Sequence, residues 1–124
     1  MATLEQASLS AAERRVIERW VDLLKEHFGE DLRSVWLYGS RARGEEPHDE
    51  SDIDLLVVSS RGDSFSDLTP VFELLDQAAE EEGESPAWFS PALYTPDHLA
   101  QRREIRSFFI QEVDRDKIVL YGEP

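Results

Sequence analysis

Apolar residues recur every three or four positions from Val16 through Ile17, Trp20, Leu23, Leu24 and Phe28, the period of a helix with one buried face. Ser10 and Glu13 stand ahead of this stripe at the spacing of a capping box, and Gly29 follows it as a stop. The pattern then changes. Ser34-Val35-Trp36-Leu37-Tyr38 is short, β-branched and aromatic and runs into Gly39, which predicts a strand. Ser40 through Glu46 predicts a short helix that Pro47 ends. Ile53 to Val58 is a second, strongly apolar strand. Thr69-Pro70 predicts an N-cap with proline at the first helical position, opening a helix on Val71, Leu74, Leu75 and Ala78 that stops near Gly83. Ala87 to Tyr94 predicts a third strand, in which Pro91 points to an edge, a bulge or an early end. Thr95-Pro96 repeats the cap-and-proline signal, for a helix expected to bend or break before Ile105, Phe108, Phe109 and Val113. Lys117 to Tyr121 reads as a last short strand. The alternation predicts an α/β or α+β sandwich with helices packed on one sheet.

Composition narrows this. A chain of 124 residues predicts one domain, residues 1–124, able to bury one layered core. Hydrophobic residues at 40% and aromatic residues at 10% exclude a disordered chain. Against 13 Lys and Arg stand 27 Asp and Glu, a formal charge of −14. Nucleic-acid affinity is built on Lys and Arg displacing counterions, so no nucleic-acid partner is expected. A cationic protein or small molecule fits the acidity, as do plain solubility and a salty cytoplasm. With no cysteine, disulfides and thiolate metal sites are excluded. The opening MATLEQASLS has neither a basic nor an apolar leader segment, and no apolar run approaches the ~20 residues that span a bilayer. The expectation is a soluble, cytoplasmic protein with no membrane partner.

The stretch that bears chemistry is Gly39-Ser40-Arg41-Ala42-Arg43-Gly44, then a polar loop, then Ser51-Asp52-Ile53-Asp54-Leu55. Strand side chains alternate, so Asp52 and Asp54 are expected on one side and Ile53, Leu55 and Val57 on the other. Paired carboxylates at the mouth of an apolar strand repel unless a cation sits between them. Hard oxygen ligands without cysteine or paired histidine suit Mg²⁺ or Mn²⁺. Mg²⁺ keeps water and commonly shares its shell with phosphate oxygens, which implies a nucleoside triphosphate. Gly39 lets backbone approach a phosphate, N–H groups at the following helix start and the Ser40 hydroxyl can donate to it, and Arg41 and Arg43 can neutralise it. Phosphates held on one side and metal on the other suit in-line displacement at the α-phosphate, with pyrophosphate leaving.

These motifs resemble the signature of the minimal nucleotidyltransferases, short members of the DNA polymerase β-like nucleotidyltransferase superfamily. The resemblance runs from the leading helix to Ile118-Val119-Leu120-Tyr121-Gly122. It implies a small mixed sheet backed by helices, Asp52 and Asp54 as metal-binding catalytic residues, and transfer of AMP from ATP. Members of this size are similar to antitoxins that adenylylate a HEPN-domain toxin, so a HEPN-type partner is implied. The aminoglycoside nucleotidyltransferases share the motif but usually carry an additional substrate domain; transfer to a small molecule of that type is the further alternative. Active members generally have a third carboxylate on the next core strand, and Ser90 falls about where it is expected. Without it the chain is a two-carboxylate enzyme, an enzyme completed by its partner, or a binding module that neutralises the partner by contact.

Other residues have plainer readings. Arg102, Arg103 and Arg106 form a basic cluster read as a solvated face paired with Glu104, or as a phosphate or partner contact. Trp20, Trp36 and Trp88 are expected in the core, and His48 exposed in its loop. Phe108-Phe109-Ile110 is wider than one buried stripe needs, leaving core packing or an interface with a toxin or a second copy.

Overall fold

The protein is described from a computed structural model that covers residues 4–46, 52–62 and 64–124. His48 and Ser51 lie outside the described residues. The first helix, α1, spans Ala11–Phe28. Its capping box forms as the sequence indicates: the Glu13 N–H donates to the Ser10 hydroxyl at 3.1 Å, and the Ser10 N–H donates to the Glu13 carboxylate at 2.8 Å. Strand β1 (Leu32–Tyr38) leads into the single turn α2 (Gly39–Ala42), and β2 spans Ile53–Ser59. Helix α3 (Phe65–Glu81) precedes β3 (Phe89–Tyr94), α4 (Pro96–Glu104), α5 (Phe108–Asp116) and β4 (Ile118–Gly122).

The strands form one mixed sheet in the order β3-β2-β1-β4. β1 runs antiparallel to both β2 and β4, while β2 and β3 are parallel. Pro91 therefore sits on an edge strand, where a missing N–H costs no ladder bond on the open side. Helices cover both faces. Val35, Leu37, Ile53, Leu55 and Val57 pack with α1 and α3, whereas Trp36, Leu56 and Val58 pack with Leu99, Ile110 and Val113 of α4 and α5. β2 is thus buried on both sides, which is why its sequence is an apolar run rather than an alternation. Trp20 ties the first layer: its ring is fully buried and its indole N–H donates to the Val71 carbonyl of α3 at 3.1 Å.

Three elements differ from the sequence expectation, the first being α2, a single turn over Gly39–Ala42 where a helix from Ser40 to Glu46 is expected. Helix α3 begins at Phe65, not at Thr69-Pro70, because the Ser64 hydroxyl accepts from the Asp67 N–H and caps it earlier. Pro70 lies inside the helix as its sixth residue, where it removes one i→i−4 backbone hydrogen bond. Pro86–Trp88 is a 3₁₀ turn capped by Ser85, so β3 starts two residues late and Trp88 stays 45% exposed rather than entering the core. The break expected ahead of Phe108 does form, at Ile105–Ser107, where Arg106 takes a left-handed φ of 53°. Among the described residues no helix is long and apolar enough to cross a membrane.

Candidate active site

Tyr38, Asp54 and Ser90 are register partners on β1, β2 and β3, so their side chains form a row on the sheet face that α5 covers. In front of this row lies a cleft of about 310 Å³ lined by Tyr38, Gly39, Ser40, Arg43, Asp54 and residues of α5. The sequence motifs split by distance along the chain, yet four of their residues meet here. A larger recess of about 480 Å³, containing Arg33, Trp36 and Leu99, lies elsewhere and holds none of the motif residues.

Gly39 is the contact point between the two motifs. Its φ is 80°, a left-handed value that a side chain resists, and a β-carbon built on it would collide with the Asp54 carboxylate. The glycine thus lets the strand-to-helix turn close directly over Asp54. Gly44 provides the matching exit at φ 80°, where a β-carbon would come within 2.8 Å of the Gln6 carbonyl oxygen. Residues 4–9 lie against α2 there, with the Ser8 N–H donating to the Arg41 carbonyl at 2.8 Å.

Arg41 does not line the cleft. Its side chain is buried, donating to the Ser8 carbonyl at 2.9 Å and to Glu13 at 3.1 Å. The carboxylate that closes the capping box therefore also grips α2. This corrects the expectation that Arg41 neutralises a triphosphate: it anchors the turn that carries Gly39 and Ser40. Arg43 does face the cleft, bonded to Glu45 and, at 2.9 Å, to Asp116 of α5.

Asp54 is half-buried, and burial followed by the charge of nearby Asp52 pushes its carboxyl above the usual range, while Arg43 pulls it down. Asp52, just ahead of the strand, is exposed. Burial, then Asp54 and Tyr94, push the Tyr38 hydroxyl up to about 12, so it keeps its proton at neutral pH. A divalent cation fits this donor set: two repelling carboxylates, one partly desolvated, with room in the cleft for phosphate oxygens and water. No third acid joins them, for among the described residues no group of three or more Asp, Glu or His is placed to hold a metal. Ser90 is exposed beside Asp54, in the position the sequence indicated, and its hydroxyl cannot replace a carboxylate.

Sequence reasoning missed Glu112 and Asp116. Phe109, Glu112, Val113 and Asp116 all line the cleft and recur at i, i+3, i+4 and i+7, one stripe of α5. That stripe was legible as a helix face, but nothing local says which strand ends it meets. The aromatic run divides cleanly: Ile110 is buried, Phe109 stacks edge-on against Tyr38 at 5.5 Å, and Phe108 is 76% exposed. The basic cluster is not paired with Glu104. Arg103 grips Asp114 through two bonds of 3.0 and 2.7 Å, and Arg102 donates to His98 at 3.2 Å.

A family model described as a nucleotidyltransferase domain matches residues 17–121, a span that includes both motifs and the cleft. The chain belongs to the nucleotidyltransferase domain family. Solved structures share its fold. Spectinomycin adenyltransferase AAD(9) from Enterococcus faecialis, solved with ATP and spectinomycin, aligns with a TM-score of 0.60 at 16% identity over 90% of this chain. The match spans only 56% of that protein. A toxin-antitoxin structure with AMP-PNP aligns with a TM-score of 0.53 at 20% identity, covering 86% of this chain and 73% of that one. The toxin-antitoxin MntA-HepT aligns with a TM-score of 0.50 at 17% identity, over 89% of this chain and 73% of that one. At these identities the likeness establishes the polymerase β-like nucleotidyltransferase fold. A search of curated proteins returns no match.

Proposed function

We propose that this nucleotidyltransferase moves AMP from ATP to a hydroxyl of a HEPN-type partner protein in the cytoplasm, and so acts as the antitoxin of a pair. The observation that carries the reading is the closure of Gly39 over Asp54, with Ser40 and Arg43 lining the same cleft. Asp52 and Asp54 would hold Mg²⁺ or Mn²⁺, which when bound polarises the phosphate and neutralises its charge. The residues of the chain do the rest. Gly39 leaves backbone room for the phosphates, Ser40 donates to them, and the Arg43 guanidinium balances their charge. Arg41, locked to Glu13, keeps that turn in place.

The choice of a protein acceptor draws on three supports. The cleft is small, about 310 Å³, which suits an acceptor that brings its own binding surface. Two of the neighbours are toxin-antitoxin structures. The chain is strongly acidic, which suits a cationic partner. A second reading has one observation in its favour: Ser90 stands beside Asp54 where a third acid would serve, so the partner is neutralised by contact alone. Co-expression with the protein of the adjacent reading frame separates them. The transfer reading expects that protein to gain the mass of AMP, and to lose the gain with Asp54→Ala. A partner that is silenced but unmodified supports the contact reading instead.

A further inference from the structure

We propose that Glu112 of α5 takes the proton from the attacking hydroxyl. The inference rests on the transfer reading above. In that reaction the acceptor oxygen bonds to the α-phosphorus of ATP. The bond from that phosphorus to the oxygen bridging toward the β-phosphorus breaks, and pyrophosphate leaves with its electron pair. The hydroxyl proton needs a base within the cleft.

Tyr38 holds its own proton at neutral pH, and Ser90, next to the cleft, is an alcohol. Asp54 is half-buried beneath Gly39, where its oxygens are needed for the cation. Asp116 is consumed: Arg115 bonds it at 3.0 and 3.1 Å and Arg43 at 2.9 Å, and its side chain is only 9% exposed. Glu112 is different. It sits one helical turn before Asp116 on the same stripe, its side chain is 46% exposed, and its ion pair with Arg115 is a loose 3.8 Å contact. Arg115 is already committed to Asp116, so Glu112 keeps oxygen lone pairs for a proton arriving in the cleft. A proton acceptor supplied by α5 explains how the chain works without an acid on β3.

The test uses the full chain, Mg²⁺, ATP and the HEPN-domain protein of the adjacent frame as acceptor, with Asp54→Ala as reference. Glu112→Gln and Glu112→Ala are expected to lower kcat about 10²–10⁴-fold, the usual worth of a general base, with unchanged ATP affinity. Glu112→Asp retains part of the rate, and added formate restores part of it to Glu112→Ala, which a merely structural role would not allow. Glu112→Gln turning over at the wild-type rate while Asp54→Ala is dead overturns the assignment and leaves the transfer reading standing. A wild-type protein that binds ATP but modifies no acceptor overturns both.

Discussion

The closure of Gly39 over Asp54 predicts an unusual outcome for a one-methyl change, Gly39→Ala. The left-handed φ of 80° costs an L-residue about 1–2 kcal/mol, part of which is offset by the lower entropy of the unfolded chain. The new β-carbon would also displace the Asp54 carboxylate, and an off-rotamer side chain adds about 0.5–1.5 kcal/mol. The expected loss is about 2 kcal/mol, a fall in Tm of roughly 6–10 °C for a domain of this size. Gly83→Ala is the control: its φ is 71° but nothing lies within 4 Å of the added carbon, so it carries backbone strain alone. Thermal melts and an AMP-transfer assay are run on both. Gly83→Ala is expected to lose about half as much stability and keep full activity, whereas Gly39→Ala loses activity at temperatures where it remains folded. Equal activity in the two variants would refute the argument that this glycine exists to let the turn meet the carboxylate.

Four further outcomes follow from the same structure. Ser90→Asp places a second acid one strand spacing from Asp54, so its Tm should fall below wild type in EDTA and recover with Mg²⁺. Trp20→Ala empties a fully buried site and frees the Val71 carbonyl, at a cost of about 3–5 kcal/mol by denaturant unfolding. Burial pushes the Asp114 carboxyl up, but hydrogen bonds from Arg103 and Lys117 outweigh it and hold it below the ordinary 3.8. A depressed carboxyl stabilises above its unfolded pKa, so Asp114→Asn should cost stability at pH 7, with the deficit vanishing as pH falls below that range. Ile105→Ser and Phe108→Ser remove exposed apolar surface at the junction of α4 and α5, and should leave Tm unchanged while weakening capture of the proposed acceptor protein in a pull-down.

Much of the fold could be read from local signals because the relevant physics is local. Ser10 and Glu13 cap α1 through contacts three residues apart, and of the edge, bulge or early end that Pro91 pointed to, the edge is what forms. Asp54 was legible for a similar reason, as a carboxylate on an otherwise apolar strand. What failed needed tertiary information or a competing local signal. Ser64 and Asp67 cap α3 ahead of Pro70, so the proline marked the first turns of the helix rather than its start. Arg41 and Arg43 are two residues apart and looked equivalent, yet one turns toward Glu13 and the other toward Asp116. Glu112 and Asp116 reach the cleft only because α5 folds back across the end of β2, a contact between residues about sixty apart.

If Asp54 and the turn above it serve nucleotidyl transfer to a protein, the transfer leaves a mass signature on the acceptor. The deciding measurement is the intact mass of the proposed HEPN-type acceptor, purified and weighed before and after incubation with this protein, ATP and Mg²⁺. The wild type is expected to add the mass of AMP, and Asp54→Ala to add nothing. An acceptor that binds this protein tightly, loses its toxicity and keeps its original mass would overturn the transfer reading.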